Sequence, residues 1–309
     1  MSPALEALRT GGKPAMARAL ARIEAAPEAE DTVALLSAAY EAPLAHVVGM
    51  TGPPGVGKST LMNALIAAWR GEGRTVACIA VDPSSRRSGG ALLGDRTRLD
   101  TDPEDKGVFV RSMAARDRLG GLAGLTVSAM VLMRAVYDVV LIETVGVGQS
   151  ETDVVGVADT VLFCVQPGSG DSLQFMKAGI VEIPHVVVVT KADMGPAAAR
   201  ARADVKGALS LAGERDGWQV PVLMVASLQH EGVGELVAAI DAHAAFLAEG
   251  GRLAAARLEQ ARQWLMESVR ERYGREGLKR AGTIALAMGE SPFRRLAAIS
   301  AKLGGDGHG

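Results

Sequence analysis

At 309 residues, 48% hydrophobic and 22% charged, the chain can bury a large core and suits one big domain with appendages, or two domains. Its net charge of -2 gives no broad footprint for nucleic acid, and no apolar run approaches the roughly 18 residues of a membrane span, so neither partner is expected. Cys78 and Cys164 each fall inside an expected strand and read as buried free thiols in a reducing compartment, the cytoplasm, not as a disulfide.

The N-terminus carries arginines and alanines in the manner of a transit peptide, but Glu6 and Glu24 favour folded helix. Helical periodicity runs through residues 3 to 45: Leu5 and Leu8, then Met16, Leu20 and Ile23, then Val33, Leu35, Leu36 and Tyr40. Pro14, Pro27 and Pro43 punctuate it. Residues 1–43 therefore form a small helical extension, either a partner or dimer surface or a packed flank.

Residues 46 to 60, HVVGMTGPPGVGKST, organise the rest. An apolar run, Val47 to Met50, leads into Gly52-Pro53-Pro54-Gly55-Val56-Gly57-Lys58-Ser59-Thr60. A helical pattern follows through Leu61, Met62, Leu65, Ile66 and Trp69. Strand, glycine-rich loop and helix are the context a P-loop requires. The loop turns backbone N–H groups inward around a phosphate, and the helix N-terminus adds a positive dipole end. Lys58 would reach the β/γ-phosphates and the Ser59 hydroxyl would bind Mg²⁺.

Thr75 to Asp82 reads as a fully buried parallel strand. Its last residue sits at the carboxyl end, where α/β sheets place their ligands. The loop from Pro83 to Asp102 is long enough to imply function. In it Asp95 joins Asp82 as a candidate metal or water ligand, against a reading of both as turn residues. Arg86 and Arg87 suit a phosphate, an acidic partner or simply solvent.

Gly107 to Arg111 is a short strand, and Leu119 to Tyr137 reads as a helix. Asp138 to Gly146, DVVLIETVG, is an apolar strand ending in an acid, with glycine three positions on. Glu143 would hold Mg²⁺ directly or through water, and the Gly146 N–H would sense the γ-phosphate and release the loop Val145 to Thr152 when it is lost. Asp159 to Val165 is another buried strand, followed by the loop Pro167 to Asp171 and a helical Leu173 to Glu182.

Val186 to Val189 is the next strand and ends in Thr190-Lys191-Ala192-Asp193. This resembles the guanine-reading N/T-K-x-D motif. The Asp193 carboxylate accepts from guanine N1–H and the exocyclic amine, whereas adenine would leave it unpaired. Val220 to Val225 is a last strand, with Ser227 placed for a contact to the base. Gly232 to Leu247 is an amphipathic closing helix, and Gly250-Gly251 marks a boundary. Beyond it come a helix over Arg252 to Tyr273 and two shorter patterns, Leu278 to Met288 and Pro292 to Leu303. Their apolar faces need burial, by dimerisation in the preferred reading or by packing on their own domain. The tail Gly304 to Gly309 is expected to be disordered.

With these pieces in place, the sequence closely resembles the MeaB/ArgK family of P-loop GTPases, chaperones of adenosylcobalamin-dependent methylmalonyl-CoA mutase. The resemblance runs from about residue 44 to 250 and rests on GPPGVGKST, AVDPSSRRSGGALLGDRTR, LGGL, YDVVLIETVGVGQSETDV, PGSGDSLQFMKAG and TKAD. It implies a SIMIBI-like α/β P-loop NTPase fold, a mostly parallel sheet with helices on both faces, in the metal- and cofactor-delivery branch of GTPases. It also implies a GTPase domain over 44–250 and a C-terminal dimerisation arm over 251–303. Lys58, Ser59, Asp82, Asp95 and Glu143 would form the phosphate and Mg²⁺ site. The loop after Asp82, with Arg86 and Arg87, and the ETVGVGQSE loop, with Gln149 and Glu151, would be nucleotide switches. The Gly168 to Gly179 segment, with Asp171, Gln174 and Lys177, would relay nucleotide state to the mutase. Three departures stand out: Thr190 where Asn is usual, QFMKAG at 174–179, and AARD at 114–117.

The chemistry expected is Mg²⁺-dependent hydrolysis of GTP to GDP, achieved by positioning and charge stabilisation. Val147 stands where many signalling GTPases carry a water-orienting Gln, and no arginine finger is identifiable, so slow intrinsic turnover raised by a partner is expected. No cobalamin-ligating pattern stands out among His46, His185, His230, His243 and His308, which leaves the cofactor to the mutase. A GTP-dependent metallochaperone is the alternative, disfavoured by two strand-buried cysteines and scattered histidines. An ATP-dependent kinase or transport ATPase is disfavoured by TKAD.

Overall fold

The computed structural model describes residues 2–83, 99, 101–115, 124–144, 154–168, 182–212 and 217–305. The chain divides into two compact units. One takes in His46–Leu122 and Tyr137–Gly250; the other takes in Met1–Ala45, Ala123–Val136 and Gly251–Gly309. Among the described residues, no helix is long and apolar enough to cross a membrane.

The first unit is built on a seven-stranded sheet whose pairings are all parallel. In chain order the strands are β1 (His46–Thr51), β2 (Val76–Pro83), β3 (Val108–Ala115), β4 (Val139–Glu143), β5 (Thr160–Val165), β6 (Val186–Val189) and β7 (Val222–Met224). Their order across the sheet is β3-β2-β4-β1-β5-β6-β7. The central strands read as unbroken apolar runs because both faces are buried. One face presents Val48, Met50, Cys78, Leu141, Leu162, Cys164, Val186 and Val188 to the helices α4 (Lys58–Gly71) and α7 (Val233–Ala248). On the opposite face, Phe163, Val165, Val187, Val189 and Val222 pack against Ala198, Val205 and Ala208 of α6 (Pro196–Ala212). Each fully buried Val or Leu of this kind contributes about 2 kcal/mol of transfer free energy.

The second unit is helical. It contains α1 (Pro3–Thr10), α2 (Gly12–Ala25), α3 (Glu30–Glu41), α5 (Gly124–Arg134), α8 (Arg252–Ala281) and α9 (Pro292–Gly305). Ala261, Leu265 and Val269 of α8 and Leu296, Ile299 and Leu303 of α9 form one core, closed by Tyr40 of α3. Two buried hydroxyls, Ser37 and Ser291, satisfy each other at 2.8 Å. The N- and C-terminal helices thus pack together within this unit, which is the own-chain packing left open by the sequence.

Three elements differ from the sequence reading. No separate helix covers Leu278 to Met288; α8 bends at Gly274 (φ 68°) and continues to Ala281, where Gly282 at φ 70° ends it. The helix expected to reach Tyr137 stops at Arg134, and Tyr137 leaves it to stack on Phe109 with ring centroids 6.3 Å apart. Helix α6 has no counterpart in the sequence reading. Its signal was alanine-rich composition with Pro196 at the first position, not a bulky apolar stripe. The helix expected over Leu173 to Glu182 and the tail beyond Gly305 lie outside the described residues.

Candidate nucleotide site

The site lies along the carboxyl ends of β4, β1, β5, β6 and β7, which are consecutive neighbours in the sheet. β1 ends at Thr51 and passes directly into the glycine-rich loop. Gly52 adopts φ +139°, and a Cβ there would meet the Cys164 carbonyl oxygen at 2.4 Å, so only glycine lets the loop leave β1 against β5. The fully buried Val56 side chain pins the middle of the loop into the core. Pro54, Gly55 and Thr60 remain exposed. Gly57, at φ 98°, caps the start of α4. Lys58 is 7% exposed, and its ammonium donates to the Gly52 carbonyl at 2.8 Å and the Pro53 carbonyl at 3.1 Å.

Glu143 ends β4 in register with Met50 of β1. The Ser59 hydroxyl lies 3.4 Å from each Glu143 carboxylate oxygen. The end of β4 and the first turn of α4 therefore bring hard oxygen donors together, next in sequence to Lys58, the donor chemistry that suits Mg²⁺. Asp82 lies near the end of β2, in register with Ala114 of β3. Beneath the loop, burial pushes the Cys164 thiol up to about 12, with Lys58 lowering and Glu143 raising it, so the thiol stays neutral. The Cys78 thiol is likewise pushed up to about 12 by burial, with Glu143 adding to it.

β6 lies two strands from β1, roughly 10 Å away at about 4.8 Å per strand, and the TKAD turn that follows it reaches back to the loop. The Thr190 hydroxyl lies 2.7 Å from the Val56 carbonyl and 3.0 Å from the Val165 carbonyl, and the Thr190 N–H donates to that same Val165 oxygen at 2.9 Å. Lys191 adopts φ 53°, ψ 44°, a left-handed conformation uncommon outside glycine. Its ammonium donates to the Gly55 carbonyl at 3.2 Å and the Gln166 amide oxygen at 2.6 Å. Asp193 is exposed on the short turn Ala192–Met194. The Ala192 N–H donates to the Val225 carbonyl at 3.2 Å, which ties that turn to the end of β7. Ser227 lies just beyond, on a turn closed by the bridge between Ala226 and Glu231. Sequence reasoning missed Gln166, a lone glutamine at a strand end with no motif around it.

Structure therefore unites Lys58, Ser59 and Glu143 at one end, and Thr190, Lys191, Asp193 and Ser227 at the other. Asp95, Gly146, Arg86, Arg87, Gln149, Glu151, Asp171, Gln174 and Lys177 lie outside the described residues. Among the described residues, no group of three or more His, Cys, Asp or Glu side chains is arranged to hold a metal ion.

A parallel sheet with a glycine-rich loop after β1, an acid-ended β4 and a TKAD turn after β6 defines the class of P-loop GTPases. Residues 16–279 match the family model described as methylmalonyl Co-A mutase-associated GTPase MeaB. The chain is 48% identical over 219 residues to a candidate GTPase of Pyrococcus horikoshii, covering 68% of this chain and 67% of that one. It is 38% identical over 228 residues to the GTPase ArgK of Escherichia coli, covering 72% and 69% respectively. With the mouse protein named methylmalonic aciduria type A homolog, mitochondrial, it shares 37% identity over 233 residues, 74% of this chain and 56% of that one. A crystal structure of an LAO/AO transport system kinase matches 96% of both chains with a TM-score of 0.67 and 28% identity. The chain belongs to the MeaB family of GTPases.

Proposed function

We propose that this GTPase uses its nucleotide state to gate cofactor loading into, or protection of, an adenosylcobalamin-dependent acyl-CoA mutase, with methylmalonyl-CoA mutase as the first client to test. The observation that carries the proposal is the family match over residues 16–279, whose description ties the family to that mutase. The cytoplasm is the compartment in which we place the work.

In this reading Lys58 moves from the Gly52 and Pro53 carbonyls to the β- and γ-phosphates, exchanging two neutral acceptors for charged ones. Ser59 and Glu143, with Asp82 and Asp95, would hold Mg²⁺, and their convergence at 3.4 Å supports that assignment for the first two. Bound there, Mg²⁺ would neutralise charge on the phosphate oxygens. Gly52 to Thr60 would cradle the phosphates, and Gly146 would sense the γ-phosphate. Thr190, Lys191, Asp193 and Ser227 would read guanine. The segments bearing Arg86, Arg87, Gln149, Glu151, Asp171, Gln174 and Lys177 would report nucleotide state to the mutase. Homodimerisation through residues 251–303 belongs to the same proposal; Met266 and Met288 are exposed there.

The test is complex formation. The purified protein is mixed with methylmalonyl-CoA mutase and run by size exclusion with GDP, with a non-hydrolysable GTP analogue, and with neither. A complex whose stability changes at least several-fold between the two nucleotides is expected. A complex indifferent to nucleotide, or none with this or any other adenosylcobalamin-dependent acyl-CoA mutase, contradicts the proposal.

A further inference from the structure

Lys191 combines an unusual backbone with a tethered side chain. Its left-handed backbone, φ 53° and ψ 44°, costs a non-glycine residue free energy, so its surroundings must hold it there. Its ammonium, reaching back over the glycine-rich loop to Gly55, spans the distance between the base end and the phosphate end of the site. The apolar stem of such a lysine is a surface against which a base or ribose can lie. Left to itself, that four-carbon stem would sample many rotamers.

Gln166 restrains it. The residue directly follows β5, whose last carbonyl, from Val165, accepts from the Thr190 N–H at 2.9 Å and lies 3.0 Å from the Thr190 hydroxyl. The end of β5 is thereby fixed beside the end of β6. From this fixed point the Gln166 amide oxygen receives the Lys191 ammonium at 2.6 Å, a short, charge-assisted contact. An ammonium only donates, so the amide oxygen is the atom that faces it.

We propose that Gln166 is a positioning residue for guanine-nucleotide binding: its amide oxygen presets the Lys191 side chain across the site before nucleotide arrives. This rests on the reading of TKAD as the guanine-binding turn. Gln166 acts through Lys191, so it serves GDP and GTP alike and contributes to binding, not to the transfer step.

The test measures affinities of fluorescent GDP and a GTP analogue, together with KM and kcat for GTP, in the full-length protein. Variants are Gln166→Ala, Gln166→Glu, Lys191→Met and the double Gln166→Ala/Lys191→Met. Gln166→Ala should weaken both nucleotides equally, by roughly 3- to 30-fold, less than the full worth of a charge-assisted hydrogen bond because Gln166 acts on the nucleotide only through Lys191. Its KM should rise in step, with kcat at saturation within about 2-fold of wild type. Gln166→Glu keeps an oxygen for the ammonium and loses the amide donors, so it should return affinity to within about 3-fold. In the Lys191→Met background, removing Gln166 should cost nothing further. Unchanged affinities in Gln166→Ala, failure of Gln166→Glu to recover, or additive losses in the double variant would each overturn the proposal. If the wild type binds neither nucleotide, the guanine reading falls as well; if it binds both and only the variant pattern fails, the role of Gln166 falls alone.

Discussion

The Thr190 hydroxyl lies 2.7 Å from the Val56 carbonyl oxygen, joining the turn after β6 to the middle of the glycine-rich loop across 134 residues of sequence. Both ends are buried: Thr190 is 2% exposed and Val56 fully covered. A hydroxyl thus fastens the TKAD turn to the glycine-rich loop.

Replacing that hydroxyl isolates its contribution. Thr190→Val keeps the shape and leaves the Val56 carbonyl without this donor, at a cost of about 1–3 kcal/mol in stability. Nucleotide affinity should fall roughly 10-fold as the loop loosens, while Thr190→Ser should stay near wild type. Denaturant unfolding with a nucleotide titration on each variant checks both expectations.

In the proposed function Asp193 is the residue that would decide the base. Asp193→Asn exchanges a carboxylate for an amide that presents a donor where guanine also presents donors. GTP affinity should fall by at least about 100-fold, and xanthosine triphosphate, with a carbonyl in place of the exocyclic amine, should gain. Competition binding with GTP, XTP and ATP reads the outcome; undiminished preference for GTP would remove Asp193 from base recognition.

How much of this was legible in the sequence depends on whether the signal was local. Val186 to Val189, an unbroken β-branched run, was readable to its ends, and the glycine-rich loop fell where the strand and helix patterns put it. Helix α6 escaped because two of its three core positions, Ala198 and Ala208, are alanines, which carry little periodic signal. The union of terminal helices depends on pairs such as Ser37 and Ser291, 254 residues apart, which no local pattern reveals. Glu143 could be read as the acid ending a strand, but its approach to Ser59 arises only from the parallel register of β1 and β4. Gln166 and the Val56–Thr190 bond are tertiary relationships with no spacing rule behind them.

Glu143→Gln keeps an acceptor near Ser59 and removes the negative charge. With Mg²⁺ held by oxygen donors at this position, GTP turnover should fall by roughly 100-fold and its Mg²⁺ requirement should shift to higher concentration. Nucleotide affinity in the absence of Mg²⁺ should change little. Turnover measured across a Mg²⁺ titration tests this; an unaltered profile would place the metal elsewhere.

At the amino end of the sheet, Thr160 Oγ1 lies 2.7 Å from His243 Nδ1 and 2.6 Å from His46 Nε2, and the His243 ring stacks on His185 at 4.3 Å. Burial holds the His243 pKa down to about 3, with His185 and His46 adding repulsion and Asp159 opposing. Unfolding exposes a histidine that titrates near 6.5. Between these values the unfolded chain takes up a proton that the folded chain refuses, so stability falls as pH drops from about 6.5 toward 3, by up to about 1.4 kcal/mol per pH unit. His243→Phe, which keeps a ring beside Trp218 and Phe246, should show a shallower loss between pH 6 and 4. Denaturant midpoints across that range supply the measurement; identical slopes would reject the assignment.

The most direct test of a guanine-nucleotide switch serving a mutase is GTP turnover by the purified protein, alone and with methylmalonyl-CoA mutase, with ATP in parallel. Slow GTP turnover alone, acceleration by the mutase, and no ATP turnover are expected. Turnover of ATP at a comparable rate, or GTP turnover unchanged by the mutase, would contradict it.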